Sequence, residues 1–265
     1  MTKEYLFGAS EDEFDEMFFS DDDTPKMPSH EDNADTLVLP NLVNKRPGML
    51  RTRGDLTLHT RSAHRLFYGR RRDDTKKIKP IIGLVRFAHN MNQIYDLAAT
   101  DDPYADAVLL KVEHELEACR KSVSGYIAEL EELLSDMDGI SINFHESMEP
   151  VKVQLEFKTA YGFLAARILS QYDKLICLAL STMHVGLMFQ EDWARVVGKS
   201  GRMIRYTYQL STSYRFTGVS RVDIQANNNV ARAAIEKYGE LPQSILRAEK
   251  RSKFAPTLIC SKPAL

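Results

Sequence analysis

The sequence predicts a mainly α chain of the α+β type, a helical domain of long antiparallel helices with a small β ribbon. Three observations lead there. Asp102 to Gly139 carries apolar residues at alternating spacings of three and four, the mark of a long amphipathic helix. Two further broadly apolar stretches, 160–184 and 190–210, have helical length. Against these stand only short runs that alternate with period two, around Leu56, Ile142 and Val153. With 265 residues, 43% of them hydrophobic, the chain can bury one sizeable core.

Residues 1–36 read as an acidic, disordered tail, too rich in like charge to collapse. Phe14, Met17, Phe18 and Phe19 interrupt it, so it is either a solubilising tail or one that docks a short apolar turn on a partner. Residues 37–255 read as a single folded domain, and 256–265 as an irregular C-terminus. "LRTRGDLTLHT" is extended, with Leu56 and Leu58 inward and Thr57 and His59 outward. "SAHRLFYG" is a short helix with Ser62 as N-cap and Gly69 as its stop. A basic loop, Arg70 to Lys79, leads to a helix whose inner face is Leu84, Phe87, Met91, Ile94 and Tyr95.

In the long helix, Asp102 caps, Pro103 takes the first position and Gly139 marks the end. Leu109, Val112, Leu116, Cys119, Val123, Tyr126, Leu130, Leu133 and Met137 make a heptad seam. Such a seam serves either packing against another helix of the chain or a dimer. "ISINFHE" and "VKVQLEFK" are strands, the second with Val151, Val153, Leu155 and Phe157 inward and Lys152, Gln154 and Glu156 outward. Gly186 separates the next two helices, and Ser220 with Asp223 opens one more, "RVDIQANNNVARAAIEKYG".

The formal net charge of -2 conceals a strong polarity. Met1 to Thr36 holds twelve acidic and two basic residues, whereas Lys45 to Lys79 holds twelve basic and three acidic ones. Such asymmetry points to a polyanionic partner. Lys and Arg neutralise phosphates, and a helix or two-stranded ribbon can read the major groove. Arg61, Arg70, Arg71, Arg72, Lys76 and Lys77 are therefore expected to meet phosphate. Two strands compete as the reader: one carrying Arg51, Arg53, Thr57 and His59, the other carrying Lys152 and Gln154. The second precedes two helices, the strand–helix–helix order of a ribbon-helix-helix element, in which two chains pair their strands.

No phosphate loop, dinucleotide fingerprint, nucleophile elbow or zinc-protease motif occurs, and the histidines are scattered. No catalytic residue, metal ligand or cofactor is expected. Cys119, Cys177 and Cys260 lack metal-ligand spacing and suit a reduced, cytoplasmic protein. The acidic N-terminus is unlike a signal peptide, and no apolar run reaches membrane-spanning length.

Six blocks, "LTLHTRSAHRLFYGR", "IIGLVRFAHNM", "DDPYADAVLLKVE", "AYGFLAARIL", "MHVGLM" and "YRFTGVSRVDI", together resemble the AcaB-like family of conjugative plasmids and integrating conjugative elements. The likeness runs in order from about Leu56 to Arg251. It implies a DNA-binding transcriptional activator of conjugative transfer, a homodimer, and a ribbon-helix-helix-like element. The expected partners are double-stranded promoter DNA, a second copy of the chain, and RNA polymerase through the acidic tail. A structural or adaptor protein of the conjugation machinery, or an enzyme acting on nucleic acid, are the other readings.

Overall fold

The computed structural model describes residues 53–71, 80–135 and 147–259. The expected tail, the "ISINFHE" strand, the Gly139 stop, and Arg51, Arg72, Lys76 and Lys77 lie outside them. The elements in chain order are β1 (Gly54–Leu58), α1 (Arg61–Tyr68), β2 (Gly69–Arg70), β3 (Ile81–Ile82), α2 (Leu84–Ala99), α3 (Pro103–Ser135), β4 (Val151–Leu155), α4 (Ala160–His184), α5 (Gln190–Leu210), α6 (Arg221–Ala226), α7 (Asn229–Tyr238) and α8 (Gln243–Leu246).

The core is helix against helix, with α2, α3, α4 and α5 in mutual contact. Phe87, Leu109, Leu169, Leu175, Ile204 and Tyr208 are among its fully buried side chains. The Phe87 and Tyr208 rings stack with centroids 5.0 Å apart, joining α2 to α5. The buried face of α3 departs from the heptad seam in its second half. It follows Leu116, Cys119 and Val123, then Ile127, Leu130 and Leu134, while Leu133 is 43% exposed. A straight helix drifts about 20° per heptad, so over four turns the inward position moves on by one residue. Among the described residues the seam, apart from the half-buried Tyr126 and the exposed Leu133, is buried against the chain's own helices, which is the intrachain packing role; Met137 lies outside them.

Not all the long helices are antiparallel. Gln171 bonds to Ser124, and three residues on Lys174 bonds to Glu131, so α3 and α4 advance in the same direction. The chain between them contains β4 instead of a tight turn, as a parallel neighbour requires. Helix α5 does run opposite to α3: Lys199 meets Tyr126 near one end, and Tyr208 lies near Cys119 toward the other.

Between α1 and α2, β2 pairs antiparallel with β3. Gly69, at φ 77°, ends α1 and lies so close to Gly83 that a Cβ on either would come within 2.4 Å of the other's backbone. The expected single helix after Ser220 is two. Asn227 adopts the left-handed conformation, and the Asn228 side chain accepts from Ala231 N at 2.9 Å, capping α7. The capping box at Ser220 and Asp223 is complete.

The C-terminal elements are held to the start of α3 by buried charges. Asp102, 1% exposed, accepts from Tyr104 N and Ala105 N as the cap, and from the Tyr214 hydroxyl. Burial raises its pKa against the pull of those bonds. Arg221 bonds to Asp101 and Asp106 at 2.5 Å each and to the Ile245 carbonyl, while Arg251 grips both oxygens of Asp106 at 2.8 and 2.9 Å. Removing one partner strands the others in low dielectric. Asp106→Ala is expected to lower stability by roughly 3–5 kcal/mol. Urea unfolding followed by circular dichroism measures it, and a loss below about 1 kcal/mol would refute a central role for the network.

Candidate nucleic-acid interface

The two strands that compete as sequence readers are partners. β1 pairs antiparallel with β4 in the register Gly54↔Leu155, Asp55↔Gln154, Leu56↔Val153, Thr57↔Lys152 and Leu58↔Val151. The ribbon is formed within one chain, whereas a ribbon-helix-helix dimer pairs strands from two. Leu56, Leu58, Val153 and Leu155 are buried beneath it. Val151, expected inward, is 42% exposed, so the inward row of β4 begins at Val153.

Because side chains alternate, the opposite face collects Asp55, Thr57, Lys152 and Gln154. Beyond the last pair, Arg53 Nε lies 2.8 Å from Glu156 Oε1. Arg53 and Lys152 are thus balanced on this face by Glu156 and Asp55. The face is polar, exposed and nearly neutral. It has donors and acceptors for base edges but little net charge to attract a duplex.

A buried carboxylate sets the position of the ribbon. Asp173 of α4, 3% exposed, accepts from His59 N at 2.7 Å, Thr60 N at 2.9 Å and Thr60 Oγ1 at 2.6 Å. Thr60, not Ser62, is the N-cap of α1, its Oγ1 accepting from Ala63 N at 3.2 Å. Thr60 is bonded both to its own helix and to α4, and Ser62 has neither bond. The His59 ring does not simply face out: its Nδ1 accepts from Ser147 N at 3.3 Å, and the residue is half-buried. An aspartate inside the apolar run "SQYDKLICLAL" is the signal by which Asp173 is legible as a structural anchor.

Of the expected phosphate contacts, Arg61 is exposed at the first position of α1 and Arg71 is exposed after β2. Arg70 is half-buried in β2, where burial, and then the charge of Arg65, lower its pKa. Arg61, Arg65 and Arg70 each engage a neighbour. Among the described residues no group of three or more His, Cys, Asp or Glu is placed to hold a metal ion. Burial pushes the Cys119 thiol up to about 12, which makes it a poor nucleophile. No helix among the described residues is long and apolar enough to cross a membrane.

The fold of this chain, mainly helical with a small two-stranded ribbon, is similar overall to that of a solved structure, AcaB from uropathogenic E. coli. The two match with a TM-score of 0.51 at 10% sequence identity, over 76% of this chain and 97% of that one. The family model for the transcriptional regulator AcaB matches residues 46–259. The chain belongs to the AcaB family of transcriptional regulators. Comparison with curated protein sequences finds no match.

Asp173 is central to this site. Asp173→Ala leaves two amides and a hydroxyl without their acceptor. It is expected to cost about 2–4 kcal/mol, since each buried unsatisfied group costs roughly 1–3 kcal/mol and the corner is only partly buried. Hydrogen exchange should quicken at the His59 and Thr60 amides ahead of global unfolding. Unchanged protection there would mean that packing alone holds the corner.

Proposed function

We propose that the protein is a sequence-specific DNA-binding transcriptional activator that raises expression of conjugative-transfer genes from the cytoplasm, binding promoter DNA as a homodimer. The family assignment over residues 46–259 carries the reading. The ribbon supports it, because two antiparallel strands presenting Gln154, Lys152 and Thr57 have the dimensions and chemistry of a major-groove reader. Gln154 pairs bidentately with adenine, Lys152 donates to guanine, and Thr57 serves either. Arg61, Arg70, Arg71, and the basic residues Arg51, Arg72, Lys76 and Lys77 outside the described segments, supply phosphate contacts. His59 orders the ribbon's end through its Nδ1 and contributes a DNA contact there. The acidic tail, residues 1–36, contacts RNA polymerase. An adaptor of the conjugation machinery is less well supported, since the α3 seam that such a role would use is buried within the chain.

Mapping genomic binding sites of the tagged protein tests the function. Enrichment at promoters of transfer genes is expected, and enrichment nowhere would refute it. Gln154→Ala should cost roughly 1–3 kcal/mol on the recovered site and little on random duplex. Arg53→Ala, measured beside it, should weaken discrimination less, because Glu156 already holds that guanidinium. The opposite ranking would place the reading on β1.

A further inference from the structure

A nearly neutral ribbon cannot by itself supply the phosphate neutralisation on which duplex affinity rests. Helix α5 carries a surface that can. Its inner side, including Val197, Ser200, Ile204 and Tyr208, is buried in the core. On the outer side Arg195, Lys199, Arg202, Tyr206 and Gln209 recur at spacings of four, three, four and three. At about 100° per residue they fall within roughly 40° of one line along the helix. All five are exposed, and the stripe is about 21 Å long at 1.5 Å per residue.

The charges on this stripe are poorly compensated. Arg195 is bonded to Asp192, in the helix's first turn. Lys199 Nζ donates to Tyr126 Oη at 3.1 Å and sits 5.8 Å from that ring's centroid, an arrangement that holds the cation without neutralising it. Among the described residues no carboxylate forms an ion pair with Lys199, Arg202 or Arg205. Arg205 flanks the stripe and is half-buried; burial lowers its pKa, Tyr172 opposes that shift, and Arg202 adds to it. Like charges gathered on one helix face oppose folding slightly, and a polyanion relieves that repulsion. Tyr206 and Gln209 extend the row with neutral hydrogen-bonding groups of the kind that also meet phosphate and sugar oxygens.

We propose that this outer face of α5 docks on the sugar-phosphate backbone of duplex DNA, giving sequence-independent affinity while the ribbon discriminates. The proposal rests on the reading of the protein as a DNA-binding regulator.

The test uses the full chain with Arg195→Gln, Lys199→Gln and Arg202→Gln combined. Binding is measured over a range of salt to a random duplex and to a fragment recovered by genomic mapping. All three side chains are exposed, so far-UV circular dichroism should be unchanged and the melting temperature should not fall. Affinity should fall on both duplexes alike, with the magnitude of the log–log salt slope reduced by about 0.9 for each phosphate no longer neutralised. Tyr206→Ala should weaken binding without altering the slope. If the unaltered chain binds duplex and the triple variant matches it in affinity and slope, the proposal is overturned. The same holds if the triple variant changes only the sedimentation of the protein, which would make the stripe an interface between copies. If the unaltered chain binds no duplex even at low salt, the DNA-binding reading fails and this proposal falls with it.

Discussion

Asp173 lies in the middle of α4, where an unpaired carboxylate would be costly, and it is satisfied entirely by the corner between β1 and α1. That bonding joins the ribbon to the helical core at a defined point. β1 is fixed at its end, α1 starts from Thr60, and β4 is placed by its register with β1. The apolar underside alone could not do this, since Leu56, Leu58, Val153 and Leu155 would accept some sliding on a hydrophobic surface. Directional bonds to one carboxylate do not. Asp106 has the same role at the other end of the core, where two arginines from distant parts of the chain converge on it. In both places a carboxylate on a core helix orders segments with little regular structure of their own.

Much of the helical framework is legible from residue spacing because burial imposes a 3.6-residue period on any helix facing a core. The two helices 160–184 and 190–210 have the expected bounds, as does the Ser220 capping box. Spacing could not separate a 3.5 from a 3.6 period in the first half of α3, where both select Leu109, Val112, Leu116, Cys119 and Val123. The difference appears only at Ile127 and Leu134, and it decides between a supercoiled seam and a straight helix packed within its own chain. The direction of α4 relative to α3 is not legible either, because periodicity records which face is buried and not against which neighbour. The break at Asn227 depends on the tolerance of asparagine for left-handed backbone, a local effect that the continuing apolar pattern on both sides conceals.

At the candidate site the inward and outward rows of the strands are legible for the same reason, but their partnership is not. A strand's sequence specifies which side faces the core and says little about which strand lies beside it. Once β1 and β4 are paired, residues almost 100 positions apart share one face, and its charges nearly sum to zero: Arg53 is paired with Glu156, and Lys152 shares the face with Asp55. Counted along the chain, Arg53 belongs to a strongly basic segment. Counted in space, it belongs to a balanced surface.

The same distinction makes α5 informative. Its cations are diluted in sequence by apolar residues and never form a run, so a search for basic stretches passes over them. Packing separates them from those residues. Gly201 faces Tyr172 so closely that a Cβ would lie 2.8 Å from the hydroxyl, and that hydroxyl donates to the Val197 carbonyl at 3.3 Å. This close approach needs a small residue and fixes the rotation of α5 against α4. With the rotation fixed, the positions of Arg195, Lys199, Arg202, Tyr206 and Gln209 on the outer side are fixed too. The surface charge pattern is therefore a consequence of the core. A change where α4 meets α5 that turned the helix by one residue, about 100°, would carry the cations off their common face without altering the sequence of the stripe itself.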